Sequence, residues 1–403
     1  MSSRYLIGDF SGSELVQRAR ALVPVLRERS ARQWEQPRVF QETIDDLYEV
    51  GVLQAFQPKR WGGLEAHPSE IFEAVSVLAE GDASVAWVGG VLGVHSFHLS
   101  QFDEQAQEDV WKSNPKALIG SPYAPSGKAE RVPGGYRLSG RWRFSSGCHH
   151  CDWTFLGANL PDVEGEDDAF VVSKSWAAML LPRSDYEIVE NWNVHGMRAT
   201  GSHDIVVKDA FVPDHRVLLF SSLEDGKAPG LKVNKGDLYK VPFWQMFGRA
   251  TSSVVPVGAL KGMVDQFVEI SRNRLSGRGD KVAEDPAVSL AVAQALITVE
   301  DVKSAMHRSF ATLYDWIEKG NLAHWQTRRQ YRFQGSYGPK RCADAASELY
   351  RVFGGSVIFA DFPFGRQLND ILAVRSHFTN HYQLHANTWV GDLMGLQVKG
   401  MPV

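Results

Sequence analysis

Trp142-Arg143-Phe144-Ser145-Ser146-Gly147-Cys148-His149-His150-Cys151-Asp152-Trp153 comes after a polar hairpin, Pro133-Gly134-Gly135-Tyr136, and leads into the strand-like Thr154-Phe155-Leu156-Gly157-Ala158. Aromatic rings and small hydroxyls thus stand where a strand ends, a setting suited to a flat heterocycle. The texture around this stretch is β throughout. From about Leu118 to Leu219, alternating or β-branched runs recur at Tyr136–Leu138, Trp153–Leu156, Ala169–Val172, Ala178–Leu181, Ile188-Val189 and Ile205–Val207. Gly, Pro, Asn and Asp separate them, which predicts a small antiparallel barrel or sandwich.

Helical spacing flanks this region on both sides. Leu15, Ala19, Leu22 and Leu26 repeat every three or four residues, as do Ile44, Leu47 and those around Ile71-Phe72, Val75 and Leu78. Gly81-Asp82-Ala83-Ser84 can end one helix and cap the next, which leads through Trp87 to His95. Beyond Val241 the chain turns helical again, with apolar stripes over Val254–Ile270, Val288–Val302 and Ala343–Val352. Phe353-Gly354-Gly355-Ser356 breaks that bundle, and a last helix is expected from near Leu368. The Gly-, Lys- and Asp-rich Ser221–Gly236 suits a mobile loop or linker. The fold class is therefore α+β: an N-terminal helical domain (1–116), a middle β domain (117–225) and a C-terminal helical bundle used for oligomerisation (226–403).

At 403 residues, with 44% hydrophobic and 22% charged side chains, the chain suits a globular enzyme with a large core. A formal charge of −4 argues against a nucleic-acid binder. No βαβ alternation carries a G-x-G-x-x-G, and there is no P-loop, so reducing equivalents do not come from a bound nicotinamide. No apolar run is long enough to cross a bilayer and the N-terminus lacks a secretory pattern; the expected location is cytoplasmic. Three cysteines make no disulfide framework.

Several segments resemble the acyl-CoA dehydrogenase superfamily in order and spacing: Pro58-Lys59-Arg60-Trp61-Gly62-Gly63, Gly81–Trp87 with His95, the Trp142–Trp153 stretch, and Trp192–Ser202 ahead of Phe211-Val212-Pro213. A dehydrogenase of that family carries a glutamate after an Arg-Asp-Ala-like start. Here Asn369-Asp370-Ile371-Leu372-Ala373-Val374-Arg375-Ser376-His377 has a comparable start and no carboxylate after it, with His377 in or beside the vacant position. Without that base an acyl thioester has no acceptor for its α-proton. The sequence is most similar to the oxygenase components of two-component flavin-dependent aromatic hydroxylases.

That resemblance implies a role for each of several residues. His95 and Ser121 would meet a substrate's phenolic oxygen, Ser146 would bond the flavin near N5, and His377 would act as base, proton relay or anchor. Trp142 would lie along the flavin edge or fill barrel core, and Ser145 would join Ser146 at the cofactor or serve as a turn residue. Arg274, or else Arg272, would hold the flavin phosphate, and Gly354, Gly355 and Ser356 would approach the cofactor from a neighbouring subunit. The cofactor would be reduced FMN (FAD the alternative) from a separate flavin reductase, with O2 activated as a C4a-hydroperoxide, an aromatic substrate, and a homotetramer. N- or S-oxygenation are the runner-up chemistries, acyl-CoA dehydrogenation the next. His377, His381 and His385 at i, i+4 and i+8 would share a helical face, but with no carboxylate among them no metal is expected. Cys148 and Cys151 lack the second pair a zinc site needs, so they are assigned to packing.

Overall fold

The computed structural model describes residues 10–163, 174–224 and 226–396; the strand expected at 169–172 lies outside them. The chain opens with helices α1 (Glu14–Trp34), α2 (Gln41–Val50), α3 (Pro68–Ala79), α4 (Ala83–Leu99) and α5 (Glu104–Trp111). Helix α3 starts at Pro68, where the missing N–H costs nothing, and the His67 ring accepts the Ser69 N–H. The Asp82 carboxylate accepts the Val85 N–H at 2.9 Å and fixes the start of α4. Helix α4 is apolar on every side and buried along its whole length, as befits a central helix.

Strands come next: β1 (Ile119–Gly120), β2 (Gly127–Val132), β3 (Gly135–Ser145), β4 (Trp153–Asn159), β5 (Trp176–Pro182), β6 (Glu187–Val189), β7 (His203–Pro213) and β8 (Val217–Leu219). Among the described residues they form one sheet in the order β6-β7-β3-β2-β4-β5-β8, with β1 added in parallel to the start of β4. The sheet is buried on both faces where β4 and β5 run. Leu156, Ala177, Met179 and Leu181 join the core inside the β domain, together with Leu138, Trp142 and Ile205. Their alternates Phe155, Ala178 and Leu180 join the helical core instead. The two-residue period of a strand thus divides one sequence between two cores.

Helices α6 (Phe220–Glu224), α7 (Phe243–Gly248), α8 (Val255–Ser271), α9 (Pro286–Glu318), α10 (Trp325–Val352), α11 (Phe364–Arg375) and α12 (Tyr382–Leu393) complete the chain, with a π-helical turn at Arg249–Ser253. Two expectations need correction. The polar 221–236 segment is no free linker: the Gly230 N–H bonds the Gln101 carbonyl at 2.9 Å, and the buried Asn234 amide bonds the Ser100 carbonyl at 2.7 Å. Asn234 and the Gly230 backbone are spent on the end of α4, while Lys227, Lys232 and Lys235 face solvent. The last helix is two, because α11 stops at Arg375 and α12 begins at Tyr382.

Candidate active site

His95 projects from the buried α4 onto the segment Ile119–Tyr123. Its Nδ1 bonds the Ile119 carbonyl and its Nε2 bonds the Ser121 hydroxyl. A carbonyl only accepts, so the imidazole hydrogen is on Nδ1 and Nε2 accepts from Ser121. Burial pushes the His95 pKa down to about 3, only partly opposed by the Ile119 carbonyl. The ring is therefore neutral with a defined tautomer. Aromatic rings enclose it: Phe155 and Tyr123 at 6.0 Å, and Phe247 stacked at 6.4 Å. One turn on, the buried His98 bonds the Tyr123 hydroxyl at 2.8 Å.

Gly157 sets the position of that segment. Its N–H bonds the Pro122 carbonyl at 3.2 Å, and a Cβ there would lie 1.9 Å from the Tyr123 carbonyl oxygen. Only glycine lets β4 approach the backbone carrying Ser121 this closely.

A second group gathers where β3 ends. The register Ser145↔His203 brings Ser146 opposite Ser202, 2.7 Å away between hydroxyl oxygens. The Trp87 indole N–H, from α4, donates to Ser146 Oγ at 3.0 Å. The edge of the same indole meets the His377 ring at 5.1 Å. His377 Nδ1 bonds Thr379 Oγ1 at 2.7 Å, while its Nε2 has no hydrogen-bond partner among the described residues. Burial, then His381 and Arg332, push the His377 pKa down to about 3. Helix α4 thus carries both groups, His95 on one and Trp87 on the other, two turns apart.

Behind them, Asp370 of α11 accepts the Met197 N–H at 2.5 Å and pins the 192–202 loop. Burial raises its pKa to about 8, against the pull of that N–H.

Arg274 forms a separate cluster. It bonds the Phe353 carbonyl at 2.6 Å and the Ser356 hydroxyl, and lies over the Phe353 ring. Gly354 has φ +82°, a conformation that favours glycine, and Cβ atoms at Gly354 and Gly355 would meet nothing. This open backbone beside a guanidinium suits a phosphate. No hydrogen bond among the described residues ties it to His95, Ser121, Ser146 or His377.

One expectation about the site fails, the shared histidine face; Trp142 takes its barrel-core alternative, and Ser145 takes a buried position of its own. Trp142 is wholly buried in the β-domain core with its N–H given to the Gly157 carbonyl at 2.8 Å, so it offers no edge to a cofactor. Ser145 is fully buried near Gly120, and its hydroxyl lacks a partner among the described residues. His377, His381 and His385 share no helical face, because a 3-10 turn at Phe378–Asn380 separates α11 from α12. Cys148 and Cys151 are buried free thiols with their pKa values raised by burial, in keeping with packing.

Residues 250–382 match the family described as acyl-CoA dehydrogenase, C-terminal domain. The chain is 35% identical over 367 residues to the flavin-dependent monooxygenase oxygenase subunit HsaA of Rhodococcus jostii, covering 91% of this chain and 94% of that protein. It is 33% identical to the FADH2-dependent resorcinol hydroxylase oxygenase component of a Rhizobium species, covering 96% and 95%. The crystal structure of 3-HSA hydroxylase from Rhodococcus sp. RHA1 superposes with a TM-score of 0.91 at 32% identity, covering 98% of this chain and 100% of the other. The chain belongs to the oxygenase components of flavin-dependent monooxygenases.

The residues fit such an oxygenase component's flavin. Ser146 Oγ keeps a lone pair beyond its two protein partners, and the Arg274 cluster leaves open backbone for a phosphate. Sequence reasoning missed Trp87 as the link between Ser146 and His377, Tyr123 as the partner of His98, and Phe247 as the ring on His95. Trp87 stands in a segment that carries the family resemblance and Tyr123 two residues from Ser121, but nothing in their spacing said what they would touch.

Proposed function

We propose that this oxygenase component hydroxylates a phenolic ring with O2 and reduced FMN supplied by a separate flavin reductase. The observation that carries the reading is the His95–Ser121 pair with its fixed hydrogen direction. Ser121 gives its hydrogen to His95 Nε2 and keeps lone pairs for an incoming O–H. A phenol donating to Ser121 Oγ passes its proton on as the Ser121 hydrogen moves to Nε2, and the Ile119 carbonyl steadies the imidazolium through Nδ1–H. Burial makes that imidazolium costly, so the proton is held only while a phenolate lies beside it. The phenolate's ring carbon is then the nucleophile. The reduced flavin, when bound, activates O2 and supplies the oxygen atom.

Tyr123, Phe155 and Phe247 surround the buried His95 ring, with Phe243 packed on Tyr123 and Phe247, while Ser121 stays half-exposed. Phe243 packs 4.4 Å from His98 on one side and on the other lines a cleft with Phe97, Gln101, Tyr239, Lys240 and Ile317. His377, with Nε2 unpartnered among the described residues beside Trp87, serves as the second proton-handling group on the cofactor side. Exposed Leu275, Ile358 and Phe359 flank the Arg274 cluster, which favours its being covered by another copy, in a homotetramer. Among the described residues no helix is long and apolar enough to cross a membrane; a cytoplasmic location is part of the proposal.

The test supplies the protein with reductase-generated reduced FMN under 18O2 and a panel of phenols, amines and sulfides, read by mass spectrometry. One labelled oxygen beside a phenolic hydroxyl is expected. Labelled amine or sulfide products, with every phenol unchanged, would overturn the reading.

A further inference from the structure

The Ser146 hydroxyl belongs to a chain. Ser146 Oγ lies 2.7 Å from Ser202 Oγ, which lies 2.7 Å from Thr200 Oγ1, which lies 2.9 Å from the Met197 carbonyl oxygen. All three hydroxyl-bearing residues are buried. Each of these oxygen–oxygen contacts needs a hydrogen between its atoms, since facing lone pairs repel. The carbonyl brings none. The three hydroxyls therefore supply the three hydrogens, and the direction is forced: Thr200 donates to Met197, Ser202 to Thr200, and Ser146 to Ser202. At the other end the Trp87 indole, which can only donate, gives its N–H to Ser146 Oγ at 3.0 Å.

The hydrogen of Ser146 is thus committed inward, and what it presents to a ligand is a lone pair. We infer that Ser202 and Thr200 are positioning residues that hold Ser146 as an acceptor and so make the site select reduced over oxidised flavin. The chemistry is that of one ring position. Reduced isoalloxazine carries an N–H at N5, which an acceptor satisfies; the oxidised ring has a bare nitrogen there, which meets the Ser146 lone pair unfavourably. An oxygenase fed by a separate reductase gains from this, because it captures the form delivered and lets go of the spent one. The inference rests on the reading that Ser146 faces the flavin ring.

The register Ser145↔His203 and the bond from the Gly147 N–H to the Thr200 carbonyl, at 2.8 Å, hold the two hydroxyl-bearing segments side by side. The chain is therefore held where β3 ends and β7 begins and stands before any cofactor arrives. Removing Ser202 frees the Ser146 hydrogen to turn outward and donate to the oxidised ring. Removing the Thr200 hydroxyl leaves two hydrogens for the one remaining contact, which also allows Ser146 to turn.

The experiment is anaerobic titration of the apoprotein with reduced FMN and, separately, with oxidised FMN, for the native protein, Ser202→Ala and the near-isosteric Thr200→Val. The native protein should bind the reduced form more tightly. In both variants oxidised FMN should tighten, by roughly tenfold in Ser202→Ala and less in Thr200→Val, with little change for reduced FMN. The midpoint potential of the bound flavin should fall by about 30 mV for that tenfold change in a two-electron couple. A merely structural role would weaken both forms together and leave the potential in place. Native preference with unchanged ratios and potentials in both variants would overturn the inference alone; a native protein that binds neither form would overturn it together with the flavin reading of Ser146.

Discussion

Gly157→Ala tests how tightly the active site depends on one close approach. The added Cβ would stand 1.9 Å from the Tyr123 carbonyl oxygen and 2.5 Å from its carbon, both backbone atoms that no rotamer change can move. Ordinary contact begins near 3.4 Å, so β4 and the 121–123 segment must part by about 1.5 Å. Gly157 cannot retreat the other way, because its carbonyl holds the Trp142 indole in the β-domain core at 2.8 Å. The shift falls on Ser121, two residues from Tyr123, and takes its hydroxyl out of reach of His95 Nε2. Overpacking of this kind costs about 1–3 kcal/mol, which a chain of this size survives. The cost to chemistry is larger: misplacing a reacting group by about 1 Å lowers rates by roughly 100-fold. The assay is product formed per reduced flavin consumed, with peroxide measured alongside, and thermal melting as the check on folding. Gly277→Ala, where a Cβ meets nothing, is the control. A folded Gly157→Ala protein that still couples flavin consumption to product as the native one does would refute the reasoning.

Ser121→Ala leaves His95 Nε2 buried without a donor, which should cost about 1–3 kcal/mol in urea unfolding; loss of the contact to a phenolate should lower kcat/KM for a phenol by about 10–100-fold, with peroxide rising in proportion. Arg274→Ala should free the 353–356 turn and weaken flavin binding by about tenfold or more, measured by equilibrium titration, while leaving the affinity of a phenol for the apoprotein unchanged. His95 should also mark acid stability. Its folded pKa of about 3 lies below its ordinary 6.5, so the unfolded chain takes up a proton that the fold refuses, and stability is lost as pH falls from 6.5 towards 3. In His95→Gln the slope of unfolding free energy against pH across that window should be shallower by about 1.4 kcal/mol per pH unit; an unchanged slope would show that His95 is not held neutral.

Much of the fold was legible because its signals are local. Helical spacing marked α1 to α4 and the C-terminal bundle, Gly81-Asp82-Ala83-Ser84 announced the start of α4, where Asp82 is the cap, and the Gly-Gly pair after Val352 marked the break at the end of α10. The Trp142–Trp153 stretch was rightly placed at a strand end. His95 and Ser121 were named from the resemblance, and the structure brings them into contact. The 221–236 segment was misread because composition reports polarity and not its partner; the Asn234 amide and the Gly230 N–H serve carbonyls at the end of α4.

The sequence by itself determined which residues were available and the order of helix, strand and helix, since these arise from periodicity and from caps and breaks within a few residues. Tertiary structure alone decided which way each side chain faces. Trp142 goes to the core and Ser146 to the site, although a regular strand would put both on one face, because the β3–β7 register shifts between Trp142 and Ser145, with Phe144 at φ 66°, and that pairing is non-local. His377 shares no helix with His385 because a turn that bonds Thr379 to Ser252 interrupts the helix. The direction of the hydrogens along Ser146, Ser202 and Thr200 needs both ends of the chain, an indole N–H from α4 and a carbonyl far along the sequence at Met197, and only the folded protein brings those ends together.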